Sequence, residues 1–426
     1  MFFYIDPGTG SMLFTILIGV LSAAIYMLRN LYFKLRFTLS GGRQKQTDAE
    51  RVPFVIFTDS KRYWNTFQPI CEAMERRGQD VVYLTASPDD PALEAKYDHV
   101  RAEFIGEGNR AFARMNTLKA DVVLSTTPGL DVYQWKRSRD VGFYAHILHM
   151  PNDVTTYRMF GLDYYDAVLL TGQYQVEQLR KLEALRHLPA KELPLVGLPY
   201  LDRLKARLDE AGPAPAHPTT VLVAPSWGPS SLLNVYGGKL LDALLKKTPY
   251  HIIVRPHPQS YTSEKALLDG LMAAYPAGER IEWDDSNDNF GTLRRCDVMV
   301  SDFSGVMFDY SLVFDGPVIY ADTTFDKSPY DAWWLDEDLW TFTILEKLGL
   351  RLTPENLDSI GDLVARCLNA PEFREGREQA RRETWVNIGH SAEATADYLI
   401  QTRARLLEQA GSAEVPGKKL PGAASA

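Results

Sequence analysis

Hydrophobic positions along this chain fall into three regimes. Near the amino end Met12 to Leu28 form an uncharged run, and no charge occurs between Asp6 and Arg29. As a helix that stretch would reach about 33 Å at ~1.5 Å per residue, enough to cross a bilayer. A signal peptide carries positive charge before its apolar run, whereas Asp6 precedes this one. Arg29, Lys34, Arg36, Arg43 and Lys45 follow with no acid before Asp48, and a basic flank of that kind stays on the cytoplasmic side. Leu31, Tyr32, Phe33, Leu35 and Phe37 interleave with it, as in a helix lying against anionic lipid. The expectation is a single-pass anchor in the inner (cytoplasmic) membrane, with the lipid bilayer as a partner and the large domains in the cytoplasm.

From Val52 onward, short apolar runs alternate with amphipathic stretches, a pattern that predicts parallel strands joined by helical crossovers. The first series contains VPFVIFTDS, DVVYLTAS, AEFIG, DVVLST, FYAHILH and DAVLLTG, with helices near Tyr63 to Arg77 and Gln173 to His187. A stretch rich in Pro, Gly and Ala near residues 197–218 reads as a linker. A second series follows with TTVLVAPSW, HIIVRPHP, DVMVSDFSG and PVIYADT, separated by helices near Gly237 to Lys247 and Glu264 to Ala274. After Pro354 a Leu/Val/Ala pattern mixed with Arg and Glu predicts terminal helices, and the last residues have the composition of a disordered tail. The predicted organisation is an anchor with its basic segment at 1–47, α/β domains at 48–200 and 201–410, the second with terminal helices, and a tail at 411–426.

Composition narrows the function. At 426 residues the chain exceeds what one core usually serves. Its 46 basic and 55 acidic residues give a formal net charge of -9, which argues against nucleic acid as a partner. Cys71, Cys296 and Cys367 are too few and too scattered for a disulfide framework or a zinc site.

In open α/β sheets, ligands bind beyond the carboxyl ends of the strands, and three strand endings carry chemistry. The run VMVS leads into Ser301-Asp302-Phe303-Ser304-Gly305 and a helix. Free backbone N–H groups and two hydroxyls there suit a pyrophosphate, although Asp302 or Ser304 could equally serve as a helix cap. The second ending is HIIVRPHP, where prolines stiffen a turn holding Arg255 and His257. Arg can fork a phosphate and His can neutralise a departing oxygen, and an ordinary turn is the plain alternative. The third is AHILHMPND, whose His149 could take a proton from an attacking hydroxyl or could be structural; His146 and Asp153 are the reserve candidates for that base.

Other acidic clusters are weaker. Asp336-Glu337-Asp338 lacks a preceding strand, and Asp284 to Asp288 lacks the glycine and terminal Glu of a calcium loop. There is no P-loop, no G-x-G-x-x-G and no G-x-S-x-G.

Together VAPSW at 223–227, RPHP at 255–258, the acidic turn WDDSNDNFGTLRRCD and VSDFSGVMFDYS resemble the CDP-glycerol glycerophosphotransferases of teichoic acid synthesis, in order and in spacing. GLPYLD at 197–202 is similar to the start of that family's second domain, and NIGHSAEATADYL at 387–399 to its carboxyl-terminal segment. The resemblance implies a GT-B-like fold of two Rossmann-like domains facing a cleft. It also implies transfer of glycerol phosphate, or a related phospho-polyol, from a CDP-linked donor to a hydroxyl of a membrane-linked glycan or polyol-phosphate polymer, with CMP released. By position, His257 matches a functional His, and Ser301, Asp302, Ser304 and Gly305 match the donor-binding segment. Ser226 and Arg255 fall in the accompanying motifs and are assigned to the donor as well. His149 matches the family's second functional His, with His149-Met150-Pro151-Asn152 in place of the usual His-Gly-Thr-Pro. No cofactor and no metal are expected, the CDP-linked compound being a substrate. The same cleft would also serve a glycosyltransferase using a nucleotide sugar, and the altered His149 motif would suit an inactive membrane scaffold.

Overall fold

The chain's computed structural model describes residues 51–286, 288–321 and 324–413. Six parallel strands, β1 (Val52–Thr58), β2 (Val81–Thr85), β3 (Val100–Phe104), β4 (Ala120–Ser125), β5 (Val141–Ile147) and β6 (Ala167–Leu169), form a sheet in the order β3-β2-β1-β4-β5-β6. A second parallel sheet contains β7 (Thr220–Val223), β8 (His251–Val254), β9 (Ile281–Trp283), β10 (Val298–Ser301), β11 (Val318–Ala321) and β12 (Gly349–Leu352), in the order β12-β11-β10-β7-β8-β9. Each sheet reverses its winding beside its first strand, between β1 and β4 and between β7 and β10. Those are the places where an open α/β sheet leaves a crevice at its carboxyl edge.

Strands buried on both faces explain the nearly continuous apolar runs. Along β1, Phe54 and Ile56 pack with Phe67, Ile70 and Met74 of the helix Trp64–Arg76. The alternate residues Val55 and Phe57 pack on the opposite face with Met115, Trp135 and Tyr144. Register follows the same alternation, with Val55 beside Val82 on one side and Val123 on the other. The edge strands β9 and β12 escape sequence reading because they are only three and four residues long and half-exposed in part.

Two expectations about boundaries are corrected. Most of the stretch 197–218 is a helix, Pro199–Ala211, with proline in its first turn, where the missing N–H costs nothing. Its Leu201 and Leu204 enter the second core. The terminal helix Ser391–Ala413 returns to the first domain, where Ala392, Ala396 and Leu399 form an i, i+4, i+7 stripe in the core with Phe54 and Ile56. One carboxylate joins these segments: Asp202 accepts from the N–H groups of Gly389 and Ser391 and from Trp385 Nε1, each at 2.8 Å. Gly197 permits the approach, since its φ is +92° and a Cβ there would stand 2.2 Å from Val386 O. The GLPYLD and NIGHSAEATADYL motifs therefore meet in a structural clasp.

The expected cytoplasmic-membrane placement is also corrected. Among the described residues no helix is long and apolar enough to cross a membrane. Residues 12–28, on which that placement and the expected membrane-spanning helix rested, lie outside the described residues.

Candidate active site

His149 stands two residues beyond β5, where the loops after β1, β4 and β5 converge. Its Nδ1 lies 2.9 Å from Thr126 Oγ1, just past β4. Its ring is 4.8 Å from that of Tyr63, past β1, and 6.4 Å from that of Tyr157. The Tyr157 Oη lies 3.1 Å from His146 Nε2. When His149 Nδ1–H donates to Thr126 Oγ1, Nε2 of His149 keeps its lone pair, the tautomer a general base needs. Burial, then the nearby Arg62 charge, hold His149 down to about 4, so it is neutral near pH 7.

The two reserve bases are corrected to structural roles. His146 is fully buried, and burial, with the neighbouring His149, lowers it to about 3. Asp153 is fully buried as well. It accepts from Trp340 N–H at 2.9 Å, Thr341 N–H at 2.7 Å and Gln178 Nε2, so it caps a one-turn helix of the second domain, Trp340–Thr343.

In the second domain the loops after β7 and β10 lie side by side, and Asp302 holds them together. Its carboxylate accepts from Ser226 N–H at 2.8 Å, Leu232 N–H at 2.7 Å and Phe303 N–H at 2.6 Å. Ser301 is fully buried and donates to Ala224 O at 2.5 Å, tying β10 to β7. The Ser301 hydroxyl is thus spent on this tie, contrary to the expected donor contact, whereas Asp302, its carboxylate already occupied by three N–H groups, still borders a cavity. Ser226 Oγ is buried without a bond of good geometry, though it is near enough to stabilise the Asp302 carboxylate. Ser304 and Gly305 occupy the tip of the β10 loop. A Cβ on Gly305 would lie 3.4 Å from Met150 Cε, so the loop carrying His149 meets the SDFSG loop across the domain boundary.

His257 completes this face. Gln259 N–H donates to His257 Nδ1 at 3.1 Å, which places the ring proton on Nε2 and leaves it without a partner among the described residues. Burial, then Arg62, lowers its pKa. A neutral imidazole with a free Nε2–H is a hydrogen-bond donor suited to a phosphoryl oxygen. The Trp227 ring, half-exposed, lies 6.4 Å away. Arg255, expected to grip phosphate, is instead committed to the acidic turn: its guanidinium donates to Asp284 at 2.6 Å, Ser286 Oγ at 3.0 Å and Ser286 O at 2.8 Å. Burial opposes ionisation of Asp284, but bonds from Ser286, Thr292 and Arg255 prevail and bring it down to about 2. Asp288 is likewise paired with Arg207 at 2.6 Å. The acidic turn thus serves arginines, and Glu337 of the later triplet pairs with Lys181 across the domains.

Beside Asp302, at the ends of β11 and β12, lies a cavity of about 380 Å³ whose lining includes Tyr320, Phe325, Lys327, Phe342 and Arg351. Sequence reading missed it because its walls come from segments far apart in the chain. It also missed Arg62, Tyr63 and Thr126, whose only signal was their place just after an apolar strand. Nor did it find the buried Arg186, which bonds Asp163 at 2.7 Å and Asp331 at 2.5 Å and joins the domains.

Residues 181–333 match the sequence profile of the family described as CDP-Glycerol:Poly(glycerophosphate) glycerophosphotransferase. Comparison with curated proteins finds no match. Among solved structures, the wall teichoic acid polymerase TagF is similar over 92% of this chain and 99% of its own, with a TM-score of 0.56 and 15% identity. The UDP-GlcNAc 2-epimerase of Methanocaldococcus jannaschii is similar over 83% of this chain and 100% of its own, at 0.53 and 14%. The epimerase of Neisseria meningitidis is similar over 82% and 100%, at 0.51 and 12%. At these identities the likeness is one of fold, a GT-B-like pair of parallel-sheet domains. The profile matched at residues 181–333 makes that part of the chain similar to the CDP-glycerol glycerophosphotransferases.

Proposed function

We propose that the chain transfers glycerol phosphate, or a related phospho-polyol, from a CDP-linked donor to a hydroxyl of a glycan or polyol-phosphate acceptor. The observation that carries this reading is the meeting of Met150 with Gly305, which sets the His149 loop against the loop best suited to a pyrophosphate. The donor's nucleotide would lie in the cavity beside Asp302. Its pyrophosphate would reach toward Ser304, Gly305 and the free Nε2–H of His257. The family described for residues 181–333 uses CDP-glycerol by name, and TagF has been solved after a soak with CDPG.

In the transfer step the acceptor oxygen attacks the phosphorus bearing the polyol. A new P–O bond forms as the bridging P–O bond breaks, and the bonding pair leaves on CMP. The hydroxyl proton passes to His149 Nε2, while His257 Nε2–H donates to an oxygen of the transferred group, where charge builds. An anionic donor beside His149 raises its affinity for that proton from the low value of the empty cleft. The test is CMP release by the purified full chain from CDP-glycerol and CDP-ribitol, with and without a polyol-phosphate oligomer. Release of UDP or GDP from a sugar nucleotide instead would replace this reading with glycosyl transfer. Donor binding without turnover on any acceptor would favour an inactive scaffold.

A further inference from the structure

The phosphoryl-gripping cation that the sequence assigned to Arg255 has to come from elsewhere, because Arg255 is held by Asp284 and Ser286. Arg62 is differently placed. It lies in the short turn Lys61–Tyr63 after β1, at the point where the first sheet reverses its winding, and it is exposed. Its one hydrogen bond among the described residues runs from Nε to Ser60 Oγ at 3.2 Å. No carboxylate lies within ion-pair distance of it, and neither Nη group has a hydrogen-bond partner, among those residues. Its neighbour Tyr63 packs on His149. Its positive charge acts on both His149 and His257, residues that belong to different domains.

An unpaired guanidinium felt by two neutral imidazoles makes little sense as a structural device. It raises the cost of protonating either one, and among the described residues it forms no bond that ties the turn to the rest of the fold. The same arrangement makes sense around a dianionic group lying between the imidazoles. A planar fork can bind two phosphoryl oxygens at once, and its charge counters what builds on the transferred group.

Building on the phosphotransfer reading above, we infer that Arg62 binds the phosphoryl group in transit, supplied by the acceptor-side domain to a donor held on the opposite domain. The charged or titratable groups that face it are Asp59 and Tyr63 of its own loop, His149 from the β5 loop, and His257 with its neighbour Glu264 from the second domain.

The experiment measures CMP release from CDP-glycerol by the full chain and by Arg62→Ala, Arg62→Lys and Arg62→Gln. Arg62→Ala is expected to lose about 100-fold or more in kcat, the size of effect seen when one transition-state donor is removed. Arg62→Lys should recover part of the rate, and added guanidine should partly rescue Arg62→Ala. Because Arg62 lowers the pKa of both histidines, its removal should move the acidic limb of the kcat/KM profile to higher pH. Arg62→Gln, close in shape and uncharged, carries the same test if Arg62→Ala melts early. A rate within threefold of the unmodified chain, with an unmoved acidic limb, overturns the inference while leaving the phosphotransfer reading intact. Failure of the unmodified chain to release CMP overturns both.

Discussion

Asp153 provides the sharpest test of how the two domains are held together. It belongs to the first domain, is fully buried, and receives two backbone N–H bonds from Trp340 and Thr341 and one from the Gln178 amide. The helix it caps has only four residues, and its own N-cap, Leu339, has no side chain able to accept. Asp153→Ala therefore strands three donors, the N–H groups of Trp340 and Thr341 and the Gln178 amide. Each costs about 1–3 kcal/mol, and an ordinary cap deletion about 1 kcal/mol, so a combined loss of about 4 kcal/mol is expected. Asp153→Asn keeps one acceptor oxygen and should lose roughly half of that. Thermal melts of the full chain followed by circular dichroism should fall by about 5 °C or more for Asp153→Ala, with the Asn variant between it and the unmodified chain. If Asp153→Ala melts within 1 °C of the unmodified chain, the cap reasoning fails. A rate loss with no change in melting would return Asp153 to the chemistry.

Three further outcomes follow from the site. Gly305→Ala should be tolerated, because its Cβ meets only the flexible end of Met150; Gly305→Val should weaken CDP-glycerol binding in calorimetry, and adding Met150→Ala should restore part of the loss, whereas independent effects would show that the two loops do not press on each other. Ser301→Ala removes a buried strut and should cost stability of about 1 kcal/mol in urea titration with donor affinity kept; Ser304→Ala should do the reverse, and a Ser301→Ala variant that loses donor affinity at full stability would contradict the assignment. His146 takes up its proton near 6.5 when unfolded but near 3 when folded, so the unfolded chain binds more protons in between and stability falls as pH drops through that window; His146→Gln should flatten that fall in urea titrations from pH 7 to pH 4, and an unchanged slope would refute it.

What the sequence by itself determined is local and periodic. Apolar runs such as VMVS and HIIV become buried parallel strands because both of their faces must be covered, and the residues just after them lie at the ligand edge because strand direction puts them there. That much located the loops of His149, His257 and Ser304. The tertiary structure decided what each polar side chain does, since hydrogen-bond partners are chosen by contact in space. Ser301 and Ser304 are three residues apart, yet one hydroxyl is spent on Ala224 while the other lies at the tip that meets Met150. Arg255 sits in the expected motif but is taken up by Asp284, 29 residues away, while Arg62, in no motif at all, is left with free donors. Asp202 and Asp153 look alike as acids in a sequence; each is a clasp because backbone N–H groups nearly 190 residues distant have no other acceptor among the described residues.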